Sequence, residues 1–358
     1  MVRFVLADIF EYKENNRENW IDYAKCIAMF LVVLGHVGTG NPLSLWIYSF
    51  HIPLFFWLSG AYMTYRSKWG GYKEYAIKMI RTTLVPYFLY SIIYLLYDVY
   101  KIFVSHKGLF FIWKDVLGIF INLRGSEYSI GLWFLPLIFL SKLLSYLILS
   151  SFYQNSVRNG FIGITMVCLL GMQFLYAFFI GVRLPWGADV VPIGAFFIIA
   201  GFVFTKYKVR IWKVANSIKP LIIVFLFLLN FWTNRVNLRM YCNQVDLHAL
   251  TFGNPVLFLV SSFAGILFCI LICKDFLNRF KIGLLQYVGT NTLHIYAMHG
   301  LIVSIVKKIM TVLFDVRTIT ISLQVVLSSI VVLVCYTFLS FCRYIYSHKM
   351  VRFGIKNR

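Results

Sequence analysis

Acidic residues are scarce in this chain. It carries 13 Asp and Glu against 34 Lys and Arg, and charged residues of both signs make up only 13%. With 60% of residues hydrophobic and 19% aromatic, that is too little charge to cover a water-soluble surface of ordinary size, so the composition indicates an integral membrane protein. Cysteines are sparse and unpatterned. Cys26, Cys168, Cys242, Cys269, Cys273, Cys335 and Cys342 form neither CxxC pairs nor a secreted disulfide spacing, and most fall inside apolar runs as reduced packing residues. The dyad alternation of a transmembrane barrel is missing, so the spans are helices. There is no GxGxxG between strand and helix, no P-loop, no GxSxG elbow, no heptad array and no internal repeat. The net charge of +21 is spread over short loops without a groove-reading element, which excludes nucleic acid as a partner.

What is present is a series of long apolar runs. Ten candidate spans fall at about 21–38, 43–65, 82–101, 130–150, 160–180, 188–205, 219–234, 252–273, 284–306 and 319–342. The expected fold is therefore all-α, a polytopic transmembrane bundle of about ten helices. Residues 1–19 form an N-terminal tail whose apolar core is too short for a secretory signal peptide, residues 20–345 the membrane domain, and residues 346–358 a basic tail. The segment at 102–125 is apolar enough to lie in the interface or re-enter, but Lys114 and Asp115 argue against a true span. Lys and Arg are roughly twice as frequent in one alternate set of connections as in the other, which places both termini in the cytoplasm. The connections 66–81, with Arg66, Lys73, Lys78 and Arg81, and 206–219 are the most basic. They suit a topology signal with attraction to anionic lipid, or a polyanionic ligand such as a nucleotide-bearing coenzyme.

Ionisable groups inside apolar spans are costly and default to functional candidates. The first span, WIDYAKCIAMFLVVLGH (20–36), holds Asp22 and Lys25 three residues apart, where they can pair on one helix face. His36 follows Lys25 by eleven residues, roughly 16 Å along the axis and about 20° from the same azimuth, so both share a face. FHIPLFFWLSG (50–60) then returns after a short turn and brings His51 beside the outer half of the first helix, with Pro53 marking a kink and Ser59-Gly60 a close helix contact. Asp246 and His248 lie two apart, which on a helix would point them away from each other and gives no metal-ligand spacing; no metal is expected. Glu127 reads as a solvated loop residue, and His294, Asp189 and Arg183 receive no role.

The runs IDYAKCIAMFLVVLGH, YSFHIPLFFWLSG, KMIRTTLVPYFLY, GLWFLPLIFL and YVGTNTLHIYAMHG, in this order over nearly the whole chain, resemble the membrane-bound acyltransferase family 3, especially its fucose 4-O-acetylase-like branch. The resemblance implies about ten transmembrane helices, a bacterial cytoplasmic (inner) membrane, and transfer of an acetyl or other acyl group from cytoplasmic acyl-CoA to a sugar hydroxyl of a surface polysaccharide or lipid-linked glycan. Acetyl-CoA would be the donor. It implies that His36 is the essential base and Lys25 its basic partner, where many members have Arg, with Asp22 beside them. Lys78 and Arg81, joined by Arg66 and Lys73, would contact the coenzyme. His51, Trp133, Asn291, Tyr296 and His299 are the candidate substrate-binding residues, with Trp133 and Phe134 also suiting a membrane interface. A proton-coupled transporter or flippase using Lys25 and His36 as a relay is the competing reading, and a noncatalytic assembly partner a third.

Overall fold

The computed structural model describes residues 19–64, 70–104, 112–127, 131–154, 160–207, 217–315 and 318–352. Arg66, most of the N-terminal tail and the end of the C-terminal tail lie outside the described residues. Among those described, the chain is all-α apart from an isolated bridge between Asp246 and Thr251. Among the described residues, ten helical stretches are long and apolar enough to cross a membrane. The first is α1 (Asn19–Val37). The second is broken into α2 (Pro42–Tyr48) and α3 (His51–Met63). The third joins α4 (Tyr72–Met79), a π turn (Ile80–Leu84) and α5 (Val85–Val104). A short α6 (Ile112–Ile121) is not among the ten, in keeping with the expectation that this segment does not span.

The next five spans are α7 (Phe134–Gln154), α8 (Gly160–Phe179), α9 (Val191–Lys206) after a 3-10 turn (Pro185–Val190), α10 (Lys219–Met240) and α11 (Pro255–Leu271). They are followed by α12 (Gly283–Thr290) and by the last two spans, in α13 (Thr292–Phe314) and α14 (Ile321–Arg352). Three details differ from the sequence reading. The third span starts within the basic 66–81 segment, where α4 buries Tyr75 and Met79 and runs on through the π turn into α5. The expected span 284–306 is two helices divided at Asn291. The last helix continues to Arg352, into the predicted tail.

α1 is the axis of the bundle, packed by α3, α12, α13 and α14 and buried over most of its length. Small residues let the neighbours approach. A methyl on Gly60 would collide with the Ile198 carbonyl, and one on Gly201 with the Trp57 carbonyl, so α3 and α9 touch backbone to backbone. A methyl on Gly289 would strike the Asp22 backbone and push α12 off α1. By contrast, α8 and α10 leave most of their apolar side chains outward, as helices facing lipid do.

Candidate active site

α1 ends at Val37, one residue after His36, and its last carbonyls have no partners within the helix. Side chains from elsewhere supply them. The Lys307 ammonium of α13 donates to the His36 carbonyl at 2.8 Å. The Gln324 amide of α14 donates to Leu34 O at 2.7 Å and Gly38 O at 3.3 Å. Asn41 in turn donates to the Gln324 carbonyl oxygen at 2.7 Å, and the Ser44 hydroxyl donates to Gly38 O. The end of α1 that carries His36 is thus tied to two other spans and to the turn that follows.

The His36 ring lies with Nδ1 2.8 Å from the Val32 carbonyl. A carbonyl only accepts, so Nδ1 carries the proton and, in the neutral ring, Nε2 keeps its lone pair. His51 repeats the arrangement, with Nδ1 2.9 Å from Ile47 O. It does so at the break between α2 and α3, which Pro53 explains: lacking an N–H, Pro53 cannot serve the Ser49 carbonyl four residues back. The Ser262 hydroxyl of α11 serves it instead at 2.7 Å, while Asn230 of α10 donates to the Ser49 hydroxyl at 3.1 Å. His299 of α13 also turns Nδ1 to a carbonyl of its own helix, Tyr296 O at 2.5 Å.

These three histidines line one cavity of about 490 Å³, together with Tyr48, Tyr94, Trp133 and Tyr296. The His36 and His299 rings meet edge to face with centroids 4.9 Å apart, and Tyr48 meets His51 at the same distance. One wall comes from outside the spans. The loop 241–254 presents Asp246, Leu247 and His248 to the cavity. The guanidinium of Arg124, only 1% exposed, pairs with Asp189 and donates to Leu247 O at 2.7 Å. Burial in the first place, then the nearby Arg124 and Arg183, hold the His248 imidazole down to about 4, so it is neutral near pH 7. Burial raises the Asp246 carboxyl, opposed by the His248 N–H and by Arg124.

A second cavity, of about 110 Å³, adjoins toward the start of α1 and is lined by Lys25, Ser59, Thr83, Lys142, Thr292 and Tyr296 among others. Tyr296 borders both cavities. Its oxygen accepts a 3.4 Å hydrogen bond from the Phe134 N–H, which leaves its own proton available. Lys25 places its ammonium 4.9 Å over the Tyr62 ring. Thr83 belongs to the π turn, and Pro86 accounts for the departure from α-helix there: it has no N–H for the Thr82 carbonyl four residues back. Lys73, Lys78 and Arg81 are exposed on the same stretch of chain, α4 and the π turn, that carries Thr83.

The structure therefore gathers His36, His51, Trp133, Tyr296 and His299 at one cavity and puts Lys25 at the other. Of the catalytic and substrate-binding candidates, two sit elsewhere, and the coenzyme candidates Lys73, Lys78 and Arg81 line neither cavity. Asp22 is buried where α12 crosses α1 and lines neither cavity. Asn291, expected to bind substrate, lies at the α12–α13 break, donates to Tyr287 O at 2.7 Å and accepts from Arg343 at 3.1 Å. It holds helices rather than lining the cavity. Sequence reasoning missed Lys142 and Lys307, although a lysine inside an apolar run was a readable signal. It also passed over Asp246 and His248, because their spacing was judged on a helix and the chain there is a loop.

Fold and site together define a polytopic helical membrane protein with a histidine-lined cavity that shares Tyr296 with a smaller, lysine-lined one. Residues 18–342 match the acyltransferase domain of acyltransferase family 3, and the chain belongs to that family: it is a membrane acyltransferase. No curated protein and no solved structure matches the chain.

Proposed function

We propose that the protein is an O-acyltransferase that moves a short acyl group, acetyl foremost, from acyl-CoA to a hydroxyl of a sugar in a surface polysaccharide or lipid-linked glycan. The observation that carries this reading is the shared wall at Tyr296, with Lys25 and Lys142 on one side and His36 on the other. The nucleotide head of acyl-CoA is a polyanion that cannot enter hydrocarbon, whereas its pantetheine arm is slender enough for a channel. Lys73, Lys78 and Arg81 would hold the head at the mouth, and Lys25 and Lys142 would meet polar groups of the arm within the smaller cavity. The thioester would then arrive beside Tyr296, whose hydroxyl can donate to the carbonyl oxygen as charge develops there.

His36 is the proposed general base. The sugar hydroxyl gives its proton to Nε2 while its oxygen bonds to the thioester carbonyl carbon. The C–S bond breaks, and the coenzyme leaves as a thiolate that takes a proton. Val32 fixes the tautomer this needs, and two adjoining cavities let donor and acceptor be present together. We place the chain in the cytoplasmic membrane of a bacterium with both termini in the cytoplasm. An even number of spans and the bias of Lys and Arg support this. Lys25 then lies in the inner half of α1, His36 in the outer half, and loop 241–254 on the outer side.

The test is transfer of label from labelled acetyl-CoA to a glycan extract by the purified protein, wild type beside His36→Ala. Label in the glycan with wild type alone supports the reading. Equal transfer by both removes His36 from the chemistry, and a wild type that neither binds nor consumes acetyl-CoA overturns the donor.

A further inference from the structure

We infer that Trp133, Asp246 and His248 form an acceptor subsite for a hydroxyl-rich pyranoside ring, in the cavity that His36 and His299 also line, held in place by the Arg124–Asp189 ion pair. The inference rests on the proposed transfer to a sugar and names the residues that would receive it.

Its first support is how the wall is built. Loop 241–254 is pinned at several points before any ligand arrives. Asp246 and Thr251 exchange backbone hydrogen bonds of 2.7 and 2.9 Å. Asn237, fully buried on α10, donates to Phe252 O at 2.9 Å and accepts from the Asn254 N–H at 2.8 Å. Gly253 has φ +66° and stands so close to Asn237 and Cys242 that a side chain would not fit. From the other side Arg124 holds the Leu247 carbonyl, and the Asp189 carboxylate that pairs with Arg124 also accepts the Leu184 N–H at 3.0 Å. Three separate connections, at 122–127, 183–190 and 241–254, are thereby fastened to one buried guanidinium. A buried ion pair is costly in stability and serves best where it fixes a geometry.

The second support is the chemistry of what the wall shows. Asp246 and His248 are half-buried and both line the cavity, so they are open to an occupant. The His248 backbone N–H donates to Asp246 Oδ1 at 2.8 Å and so fixes the direction of the carboxylate. The His248 and Trp133 rings meet at 5.1 Å, with Arg124 5.6 Å over the indole. A carboxylate accepts O–H groups, an imidazole both accepts and donates, and an indole offers an apolar surface. A pyranose needs that set, because it has hydroxyls around its edge and C–H groups on its faces. A lipid acceptor would gain nothing from Asp246, and the carboxylate would oppose an anionic ring.

The experiment is saturation-transfer NMR of a panel of neutral p-nitrophenyl hexopyranosides with the full-length protein in nanodiscs, since sugar-headed detergents would compete. No donor is needed, so glycoside binding is read separately from acyl-CoA chemistry. At least one glycoside is expected to bind wild type and to lose affinity tenfold or more in Asp246→Asn, His248→Gln and Trp133→Ala. Glu127→Gln, which alters an exposed Lys114 partner outside the cavity, should bind as wild type does. Acetyl-CoA binding should stay within twofold in all of them, which also shows that the variants are folded. No binding by wild type, or unchanged binding in Asp246→Asn and Trp133→Ala, overturns the inference. Glycoside binding that depends on the wall while acetyl-CoA fails to bind would instead overturn the acyl-CoA reading.

Discussion

His36 and His299 stand edge to face, ring centroids 4.9 Å apart and planes at 88°, each with Nδ1 committed to a carbonyl of its own helix. Two imidazoles so placed each turn Nε2 away from their own helix, and only substitution separates the base from its neighbour. If His36 is the base, His36→Ala lowers kcat by roughly 10²- to 10⁴-fold with acetyl-CoA affinity unchanged. His299→Ala should cost much less. The reverse ranking in single-turnover rates would move the base to α13.

The two lysines of the smaller cavity carry a second prediction. Lys142→Ala and Lys25→Ala should each weaken acetyl-CoA binding by roughly 10- to 100-fold, the loss of one charge-assisted contact. Lys142→Met keeps much of the stem packing and should resemble Lys142→Ala if charge is what counts. Lys25→Arg should be tolerated on the same ground. Titration calorimetry at two salt concentrations decides it: donor affinity indifferent to both lysines removes them from the donor path.

The mount of α1 can be tested without substrates. Gln324→Leu removes the amide's bonds to the Leu34 and Gly38 carbonyls, which keep the Gly38 N–H and the Ser44 hydroxyl, and takes the acceptor from Asn41, a cost of about 0.5–1.5 kcal/mol for each bond lost. A lowered melting temperature in detergent and a fall in kcat greater than the rise in KM are expected. A variant as stable and active as wild type would mean that the end of α1 is held by other means.

Packing of α3 on α9 gives a prediction about the fold alone. Gly201→Leu would drive a side chain into the Trp57 carbonyl and indole, and overpacking of this kind costs about 1–3 kcal/mol. Reduced yield of monodisperse protein and a lower unfolding temperature should follow, whereas Gly163→Ala, which meets open space, should be silent.

The acceptor wall predicts a flat pH response. With its ring held down to about 4, His248 stays neutral across about pH 5.5–8. Unfolded, it would take up a proton below about 6.5, so as pH falls from there toward 4 the folded state loses stability relative to the unfolded one. Acceptor KM should therefore show no inflection near the ordinary histidine value of about 6.5. An inflection there that vanishes in His248→Gln would show that the ring charges at an ordinary pH.

By itself the sequence determined the class of structure and the first helix of the site. Too little charge and ten apolar runs leave only a helical membrane bundle, because backbone in lipid must satisfy its own hydrogen bonds. Lys25 and His36 were legible as a pair because both lie on one helix, where spacing fixes azimuth and rise. Pro53 and Gly60 were likewise legible as a break and a contact, since each acts through its own backbone. Tertiary structure alone decided the rest. That Tyr296 divides two cavities, that Lys142 joins Lys25, and that Gln324 and Lys307 cap α1 all depend on which helices become neighbours, and helical periodicity carries no such information. Asp246 and His248 were hidden for another reason: their place depends on a loop whose shape is set by Asn237 and Arg124, the second of them distant in sequence and joined to it only by folding.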